Sequence, residues 1–236
     1  MQAIICAAGR GNRIAHLTDG YPKALLPVGN KTVIEHILSS LSENGIEEVI
    51  VVVGHKAGTL KDFINKNSHG CSVSFIENED FENTDNLYSM YLAREHIKGE
   101  MLFLNGDTVF HTDILKNFLA SKLENTIIVD KANNPINPVS VHIKNGRLFE
   151  IEHDIKNESH GNSFGMYKLS RSASSKYFSI TEEMFADGPA RGGFFIPLQS
   201  MSSSFKIEPF FSNDSRWINI NTENDYQKAQ NIFVDK

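Results

Sequence analysis

The chain opens with a short apolar run that ends at a glycine-rich turn. Residues 3–8 have the apolar character of a buried strand, and Gly9 and Gly11 follow directly. Glycine lets the backbone curl with its N–H groups facing one point, which suits an anion. Arg10 and Arg13 bring positive charge to the same turn. Strand, bare-backbone turn and cations together predict a phosphate-binding corner, and we expect the active site there.

Composition excludes several classes of protein. The 236 residues, 40% hydrophobic and 22% charged, suffice to bury one substantial core. A formal net charge of -6, without a basic stripe, argues against binding to nucleic acid. Cys6 and Cys71 lack metal-ligand spacing, and Cys6 lies inside the apolar run, so we expect it in the core.

The cellular location is predicted from what the apolar segments lack. No apolar stretch is long enough to cross a membrane, and the first predicted strand starts too close to Met1 for a signal peptide. We therefore expect a cytoplasmic protein that does not insert into a membrane. The oligomeric state stays open, with a homodimer as one option.

Apolar strands and amphipathic helices alternate through the first half of the chain. Strands are predicted at 3–8, 48–53, 72–76 and 101–104, and helices at 32–44, 59–67 and from Asp85 or Asn86 onward. Gly45 is placed to end the first of these helices. This alternation is typical of an α/β fold with a mostly parallel sheet covered by helices on both faces.

The second half of the chain has shorter strands and a hairpin signal at Asn145-Gly146. Strands are predicted at 126–129, 138–143, 147–151, 163–169, 205–209 and 216–220, helices at 170–185 and 223–234, and a glycine-rich loop at 186–193. No internal repeat or linker divides the chain, so we predict a single domain over 1–236.

The glycine-rich turn fits neither of two common nucleotide-binding patterns. The dinucleotide fingerprint needs a third glycine where this chain has Ile14. A Walker A loop needs Gly-Lys-Ser/Thr, whereas Asn30 interrupts the sequence 29–32. Two glycines after a strand are most often a plain turn, but the arginines and the Pro22-Lys23 segment favour a phosphate site.

The opening segment resembles a known signature. Ala7-Ala8-Gly9-Arg10-Gly11-Asn12-Arg13, followed by Thr18, Pro22-Lys23 and Leu26-Pro27-Val28, is similar to the signature of nucleotidyltransferases that activate sugars and other phosphorylated small molecules. The combination is long and far more specific than a lone glycine pattern.

Further segments resemble one branch of these nucleotidyltransferases. Residues 85–92 are similar to a helix of bacterial CTP:phosphocholine cytidylyltransferases and of 2-aminoethylphosphonate cytidylyltransferases. Asn105-Gly106-Asp107 stands at that family's metal-binding aspartate motif, and 217–229 resembles its closing strand and helix. The resemblance is strongest before Phe110 and weaker over 131–215.

This resemblance implies a fold and a reaction. The fold is an α/β, Rossmann-like nucleotidyltransferase domain with a mixed, mostly parallel sheet, divided into a nucleotide-binding half (1–110) and an acceptor-binding half (111–236). The reaction transfers a nucleoside monophosphate from a triphosphate to a phosphate or phosphonate acceptor with Mg²⁺ and releases pyrophosphate. A phosphomonoester has a second pKa near ~6 and is largely dianionic at neutral pH, so no general base is needed.

The resemblance and the residues themselves together give candidate site residues. Arg13 is expected to bind the leaving pyrophosphate, and Lys23 to bridge the charge that develops around the α-phosphoryl group. The expected nucleotide-binding residues are Ala7, Ala8, Gly9, Arg10, Gly11, Asn12, Glu77, Asn83 and Asn86. From the residues themselves we expect Tyr88, Asp130, Arg191 and Trp217 to bind the acceptor; the glycine-rich loop that carries Arg191 does not match the choline enzymes well. The expected metal ligands are Asp107 and Asn221.

Several of these assignments have structural alternatives. Tyr88 is equally suited to helix packing, and Glu77 to a solvated position. Trp217 could form an aromatic cage for a quaternary ammonium with Phe194, Phe195, Phe210 and Phe211, although most phenylalanines are core residues.

One departure from the family pattern concerns the metal. Asn221 stands where relatives usually have a second metal-binding aspartate, and Asn219 where they have an acid. An amide oxygen can bind Mg²⁺ but adds no charge, so the site would depend on Asp107 and the phosphates, or on another acid such as Asp130.

The sequence thus favours a Mg²⁺-dependent cytidylyltransferase that acts on CTP and a phosphocholine-like acceptor. The alternative is a sugar-1-phosphate nucleotidyltransferase that uses UTP, dTTP or GTP. A third hypothesis is a nucleotide-binding protein that has lost turnover, and Asn221 is its only motivation.

Overall fold

The computed structural model describes residues 1–131, 139–153 and 159–233. In the first half of the chain the strands are β1 (Gln2–Ala7), β2 (Pro27–Val28), β3 (Lys31–Thr32), β4 (Glu48–Val53), β5 (Ser72–Glu77), β6 (Met101–Asn105) and β7 (Thr108–Phe110). The helices there are α1 (Ala15–Thr18), α2 (Val33–Glu43), α3 (Ala57–Lys66) and α4 (Asn86–Ala93).

The second half continues with helices and short strands. Its helices are α5 (Thr112–Ala120), α6 (Arg171–Met184), α7 (Phe195–Met201) and α8 (Glu223–Phe233). Its strands are β8 (Thr126–Asp130), β9 (Val139–Lys144), β10 (Arg147–His153), β11 (Asn162–Ser163), β12 (Met166–Leu169), β13 (Glu208–Ser212) and β14 (Trp217–Asn219).

Local sequence signals explain where several elements begin and end. Helix α2 begins with a capping box, in which Thr32 Oγ1 accepts from the Glu35 backbone N–H and the Glu35 carboxylate accepts from the Thr32 N–H. Gly45 follows the helix with φ 74°, a left-handed conformation that glycine adopts without strain. Asn145 and Gly146 both have positive φ at the turn between β9 and β10.

Some boundaries differ from the prediction. The strand predicted at 163–169 is divided into β11 and β12, because Gly165 takes φ 79° between them. The strand predicted at 205–209 starts at Glu208 and runs to Ser212, where it pairs with β8. Strand β7 and helices α5 and α7 were not predicted. Pro138 and Val234, placed in a predicted strand and helix, lie outside the described residues.

Ten of the described strands form one mixed sheet, in the order β10-β9-β11-β8-β12-β6-β1-β4-β5, with β13 beside β8. Strands β6, β1, β4 and β5 run parallel, so their carboxyl ends meet at one edge. Strand β12 pairs antiparallel with both β6 and β8 and joins the two halves of the chain. The mixed α/β sheet predicted from the sequence is confirmed.

Helices cover both faces of this sheet, because side chains alternate along each buried strand. From β1, Ala3 and Ile5 pack on the side of α2, α3, α5 and α8, whereas Ile4 and Cys6 pack on the side of α4, α6 and α7. Among the described residues these two cores fill both faces of the sheet, so we expect a site at its edges.

Candidate active site

A cavity of about 850 Å³ opens at the edge where the parallel strands end. Open α/β sheets bind ligands outside these carboxyl ends. The predicted site residues that line the cavity are Ala8, Gly9, Arg10, Gly11, Asn12, Arg13, Asn86, Asp107, Arg191 and Asn221. Ala7 and Lys23 line a smaller adjoining space with Gly11 and Asp107. The two halves of the chain both contribute to the wall.

A cluster of two cations and two oxygen-bearing side chains lies at the base of the cavity. The Lys23 ammonium donates to Asp107 Oδ2 at 2.6 Å and to Asn221 Oδ1 at 3.3 Å. Arg13 Nη2 donates to the same Asn221 oxygen at 3.3 Å. The Lys23 and Asp107 side chains are only 14% and 25% exposed, so water screens their attraction less than at a surface.

Close backbone approach positions Asp107. The Gly106 N–H donates to the Cys6 carbonyl at 2.9 Å, and a Cβ at Gly106 would come within 2.5 Å of that oxygen. Only glycine therefore fits where β6 ends beside β1. The Ile220 N–H donates to the Asp107 carbonyl at 2.9 Å and brings the following residue, Asn221, to the same place.

The glycine-rich turn is fixed by two further contacts. The His55 N–H donates to the Ala8 carbonyl at 2.9 Å. Gly11 has φ 69°, and a Cβ there would lie 3.2 Å from Lys23 Cβ. The turn therefore packs directly on the aliphatic stem of the lysine.

A buried cap fixes Asn221. Asp225 Oδ2 accepts from the backbone N–H groups of Asn221 at 3.1 Å and Thr222 at 2.9 Å. Thr222 Oγ1 accepts in return from the Asp225 N–H at 3.2 Å, which completes a capping box at the start of α8. The Asp225 side chain is buried, and it holds the backbone next to the predicted metal ligand.

Charged pairs span the rim of the cavity. Arg191 donates to Asp85 Oδ1 at 3.1 Å and to the Glu82 carbonyl at 2.8 Å. Arg10 lies 3.8 Å from the Glu82 carboxylate. Both arginines are exposed, so these contacts can exchange for a charged ligand at small cost.

Sequence reasoning missed a group of uncharged polar residues in the wall. Asn78 is 1% exposed and donates to Thr84 Oγ1 at 3.0 Å and Ser89 Oγ at 3.1 Å. Asn86 donates to Asn105 Oδ1 at 2.9 Å. Asn78 follows β5 directly, so its position after an apolar strand was the available signal.

Two predicted acceptor residues lie in the core instead of the cavity. Trp217 Nε1 donates to Asp130 Oδ2 at 2.5 Å, and the two residues are 1% and 0% exposed. The Trp217 ring stacks on Phe164 with centroids 4.2 Å apart. In this structure neither side chain is available to an acceptor, because both are enclosed by packing.

The structure does not assemble the possible aromatic cage, because its rings are divided between the two faces of the sheet. Phe210 packs edge-on against Phe118, and Phe194 and Phe195 pack in the core on the opposite face of the sheet from Trp217. The exposed Phe211 ring lies under the Lys131 ammonium. These rings do not face a common point.

Three other predicted residues also lie outside the cavity wall. Tyr88 packs against Tyr91 and Phe185, and burial raises the pKa of its phenol. Glu77 is paired with Lys61 at 2.6 Å, and Asn83 is exposed. The helix-packing alternative thus describes Tyr88 in this structure.

The donor set fits Mg²⁺. This hard cation takes oxygen ligands and is usually held by one or two carboxylates plus substrate phosphates. Asp107 and Asn221 supply a carboxylate and an amide oxygen, and a cation, the Lys23 ammonium, already lies between them. Within the described ranges no group of three or more His, Cys, Asp or Glu side chains could hold a metal alone.

Two further observations concern the Cys6 thiol and the length of the helices. Burial raises the pKa of the Cys6 thiol far above its ordinary value, so Cys6 is no nucleophile. Among the residues described, every helix is too short or too polar to traverse a lipid bilayer.

The fold and the cavity define an α/β domain with a glycine-rich turn and three arginines at the carboxyl ends of its parallel strands, and comparison with known proteins gives its family. Residues 3–171 match the MobA-like NTP transferase domain. The chain belongs to this family, which confirms the resemblance to nucleotidyltransferases inferred from the sequence.

Three curated relatives illustrate the similarity. "Bifunctional protein GlmU" of Methanococcus aeolicus is 30% identical over 186 residues, which cover 78% of this chain and 43% of the relative. "CMP-5'-(3-aminopropyl)phosphonate synthase" of Streptomyces rubellomurinus is 30% identical over 58% of this chain and 22% of its own. "Bifunctional IPC transferase and DIPP synthase" of Aquifex aeolicus is 28% identical over 236 residues, which cover 98% of this chain and 51% of the relative. The chain thus spans about half or less of the length of these relatives.

Two solved structures share the fold. CTP:phosphocholine cytidylyltransferase from Streptococcus pneumoniae has a TM-score of 0.80 at 21% identity and covers 98% of both chains. A putative glucose-1-phosphate thymidylyltransferase from Bacillus anthracis has a TM-score of 0.82 at 19% identity and covers 100% of this chain and 96% of that one.

Proposed function

We propose that this chain transfers CMP from CTP to a phosphate or phosphonate small-molecule acceptor and releases pyrophosphate. The observation that carries the proposal is the Lys23–Asp107 pair, 2.6 Å apart, facing a glycine-rich turn at the cavity base. The name of the Streptomyces relative, a CMP-phosphonate synthase, supports cytidylyl as the group transferred.

The reaction needs positioning and charge compensation more than acid or base catalysis. An acceptor oxygen attacks the α-phosphorus and forms a new P–O bond. The bond between the α-phosphorus and the oxygen that bridges it to the β-phosphorus breaks, and pyrophosphate leaves with the electron pair of that bond. A dianionic acceptor carries no proton that must be removed first.

Four side chains of this protein suit these roles. Lys23 would neutralise charge on the α-phosphoryl oxygens, and Arg13 would bind the departing pyrophosphate. The backbone of the turn at 8–12 would hold the nucleotide. Asp107 and Asn221 would hold Mg²⁺, which when bound neutralises triphosphate charge.

The division of labour follows the two halves of the chain. Residues 1–110 supply the turn, Lys23 and Asp107, and we assign them to the nucleotide. Residues 111–236 supply Arg191 and Asn221 to the same cavity. Arg191 is exposed and can turn towards an anionic acceptor.

We also propose that the protein acts in the cytoplasm.

The experiment is an assay of pyrophosphate release with each NTP, Mg²⁺ and a panel of acceptors. CTP-selective release that depends on phosphocholine, inositol phosphate or an aminoalkylphosphonate supports the proposal. Dependence on a sugar 1-phosphate with UTP, dTTP or GTP would instead favour the alternative, which the likeness to a thymidylyltransferase fold motivates. Nucleotide binding without turnover against any acceptor would contradict both.

A further inference from the structure

The Lys23 ammonium lies where a divalent cation would be held. Both oxygen atoms that the site offers to a metal, Asp107 Oδ2 and Asn221 Oδ1, accept hydrogen bonds from Lys23 Nζ. We propose that Lys23 occupies the cation position in the nucleotide-free protein, so that a divalent cation enters only when nucleotide draws Lys23 away. This inference rests on the proposed function, because that function assigns the two oxygens to a metal.

Charge explains why the lysine competes effectively. Asp107 supplies one negative charge and Asn221 supplies none, so Lys23 and Arg13 together leave the cluster with net positive charge. A divalent cation that approached this cluster would be repelled by Lys23 and Arg13 and would gain little from a single, already paired carboxylate. A second carboxylate in place of Asn221 would balance both cations, but the chain has an amide there.

The geometry couples the lysine to the nucleotide. Lys23 and Arg13 share the Asn221 oxygen, at 3.3 Å each. The stem of Lys23 packs under Gly11, so closely that a Cβ added at Gly11 would lie 3.2 Å from Lys23 Cβ. A triphosphate bound in the turn offers both cations new anionic partners, so Asp107 and Asn221 lose their donors at the moment when phosphate oxygens become available to a metal.

The test measures Mn²⁺ binding to the nucleotide-free protein by electron paramagnetic resonance. Wild type is expected to bind Mn²⁺ weakly. Lys23→Met removes the charge and keeps the stem, and it should bind Mn²⁺ at least about tenfold more tightly. Lys23→Gln should behave alike, and thermal unfolding followed by circular dichroism establishes that each variant is folded.

Two controls locate the effect. Lys206→Met removes an exposed lysine whose ammonium is paired with Glu208 at 2.5 Å, and it should leave Mn²⁺ affinity unchanged. Adding Asp107→Asn to Lys23→Met should remove the gain in Mn²⁺ affinity. The inference is overturned if both Lys23 variants bind Mn²⁺ no more tightly than wild type, or if the Asp107 change leaves the gain intact. Because no nucleotide is present, these results are independent of the turnover assay, whose failure alone would count against the proposed function.

Discussion

Lys23 and Asp107 are 84 positions apart in the chain, and their side chains meet at 2.6 Å. Two glycines make this possible. Gly11 leaves room for the lysine stem, and Gly106 lets the aspartate follow β6 at the point where it touches β1. The pair is therefore a product of backbone packing, and its chemistry can be tested one residue at a time.

Replacing either partner should remove most of the activity. Lys23→Ala and Asp107→Ala are each expected to lower kcat about 100-fold or more, because in the proposed reaction each removes a charge that acts on the phosphates. Pyrophosphate release under saturating substrates measures this. Lys206→Ala serves as the matched control, since Lys206 is exposed and paired with Glu208, and neither residue lines the cavity. Full activity in both variants would show that the site has been assigned wrongly.

Gly106→Ala should destabilise the fold as well as the site. The new Cβ would come within 2.5 Å of the Cys6 carbonyl and 2.8 Å of Ala7 Cβ, so strands β1 and β6 must separate locally. We expect a loss of about 1–3 kcal/mol in the free energy of unfolding, measured by urea denaturation.

Gly58→Ala is the control for that substitution. Gly58 lies within α3, and a Cβ there meets nothing within 4 Å. The change should stabilise the protein by up to about 1 kcal/mol, because alanine favours helix. Equal destabilisation by both changes would argue against a specific close approach at Gly106.

Asp225→Ala should weaken Mg²⁺ binding at the site, because Asp225 holds the backbone of Asn221. It removes the carboxylate that accepts from the Asn221 and Thr222 N–H groups. Thr222→Ala breaks the same cap without releasing Asn221. Both should cost about 0.5–2 kcal/mol of stability. Only Asp225→Ala should raise the Mg²⁺ concentration for half-maximal activity, and a similar rise in both would leave no special role for Asp225.

Stability should fall on mild acidification because of His36. Burial lowers the pKa of its imidazole below the ordinary 6.5, the nearby Lys31 ammonium lowers it further, and the Val28 carbonyl and Glu35 oppose the shift. The unfolded chain therefore binds the proton at higher pH than the folded one. The stability contributed by neutral His36 is fully present above about pH 6.5 and is lost as the pH falls towards the lower pKa of His36 in the folded protein.

Urea denaturation at several pH values measures this dependence. One proton accounts for at most about 1.4 kcal/mol per pH unit. His36→Gln should flatten the dependence of the unfolding free energy on pH below about pH 6.5. His16→Gln changes an exposed ring paired with Glu223 and serves as the comparison, which should keep the wild-type slope. A wild-type slope in the His36 variant would exclude this residue as its source.

Arg191→Ala should act on the acceptor. The side chain is 63% exposed and joined to Asp85 across the cavity rim, so stability should change by less than about 1 kcal/mol. We expect the KM for the acceptor to rise about tenfold, the value of one charge-assisted contact, with the KM for CTP nearly unchanged. Arg216→Ala, remote from the cavity and paired with Asp214, is the matched control. A rise in the CTP KM alone would move Arg191 to the nucleotide.

The sequence alone determined the class of fold and the part of the site that is local. The turn at 8–13 and Asp107 were predicted because they follow apolar strands, and the carboxyl ends of parallel strands meet at one edge. Such signals need only neighbouring residues. The family match over residues 3–171 confirms the class they indicated.

The tertiary structure decided which side chains face the cavity. Trp217 and Asp130 have residue types that suit an acceptor, but strand pairing and stacking enclose them in the core. Asn78 is an ordinary residue in the sequence, and it lines the cavity because β5 ends beside β4. The contact of Lys23 with both Asp107 and Asn221 likewise depends on three distant segments meeting, and no local pattern encodes such a meeting.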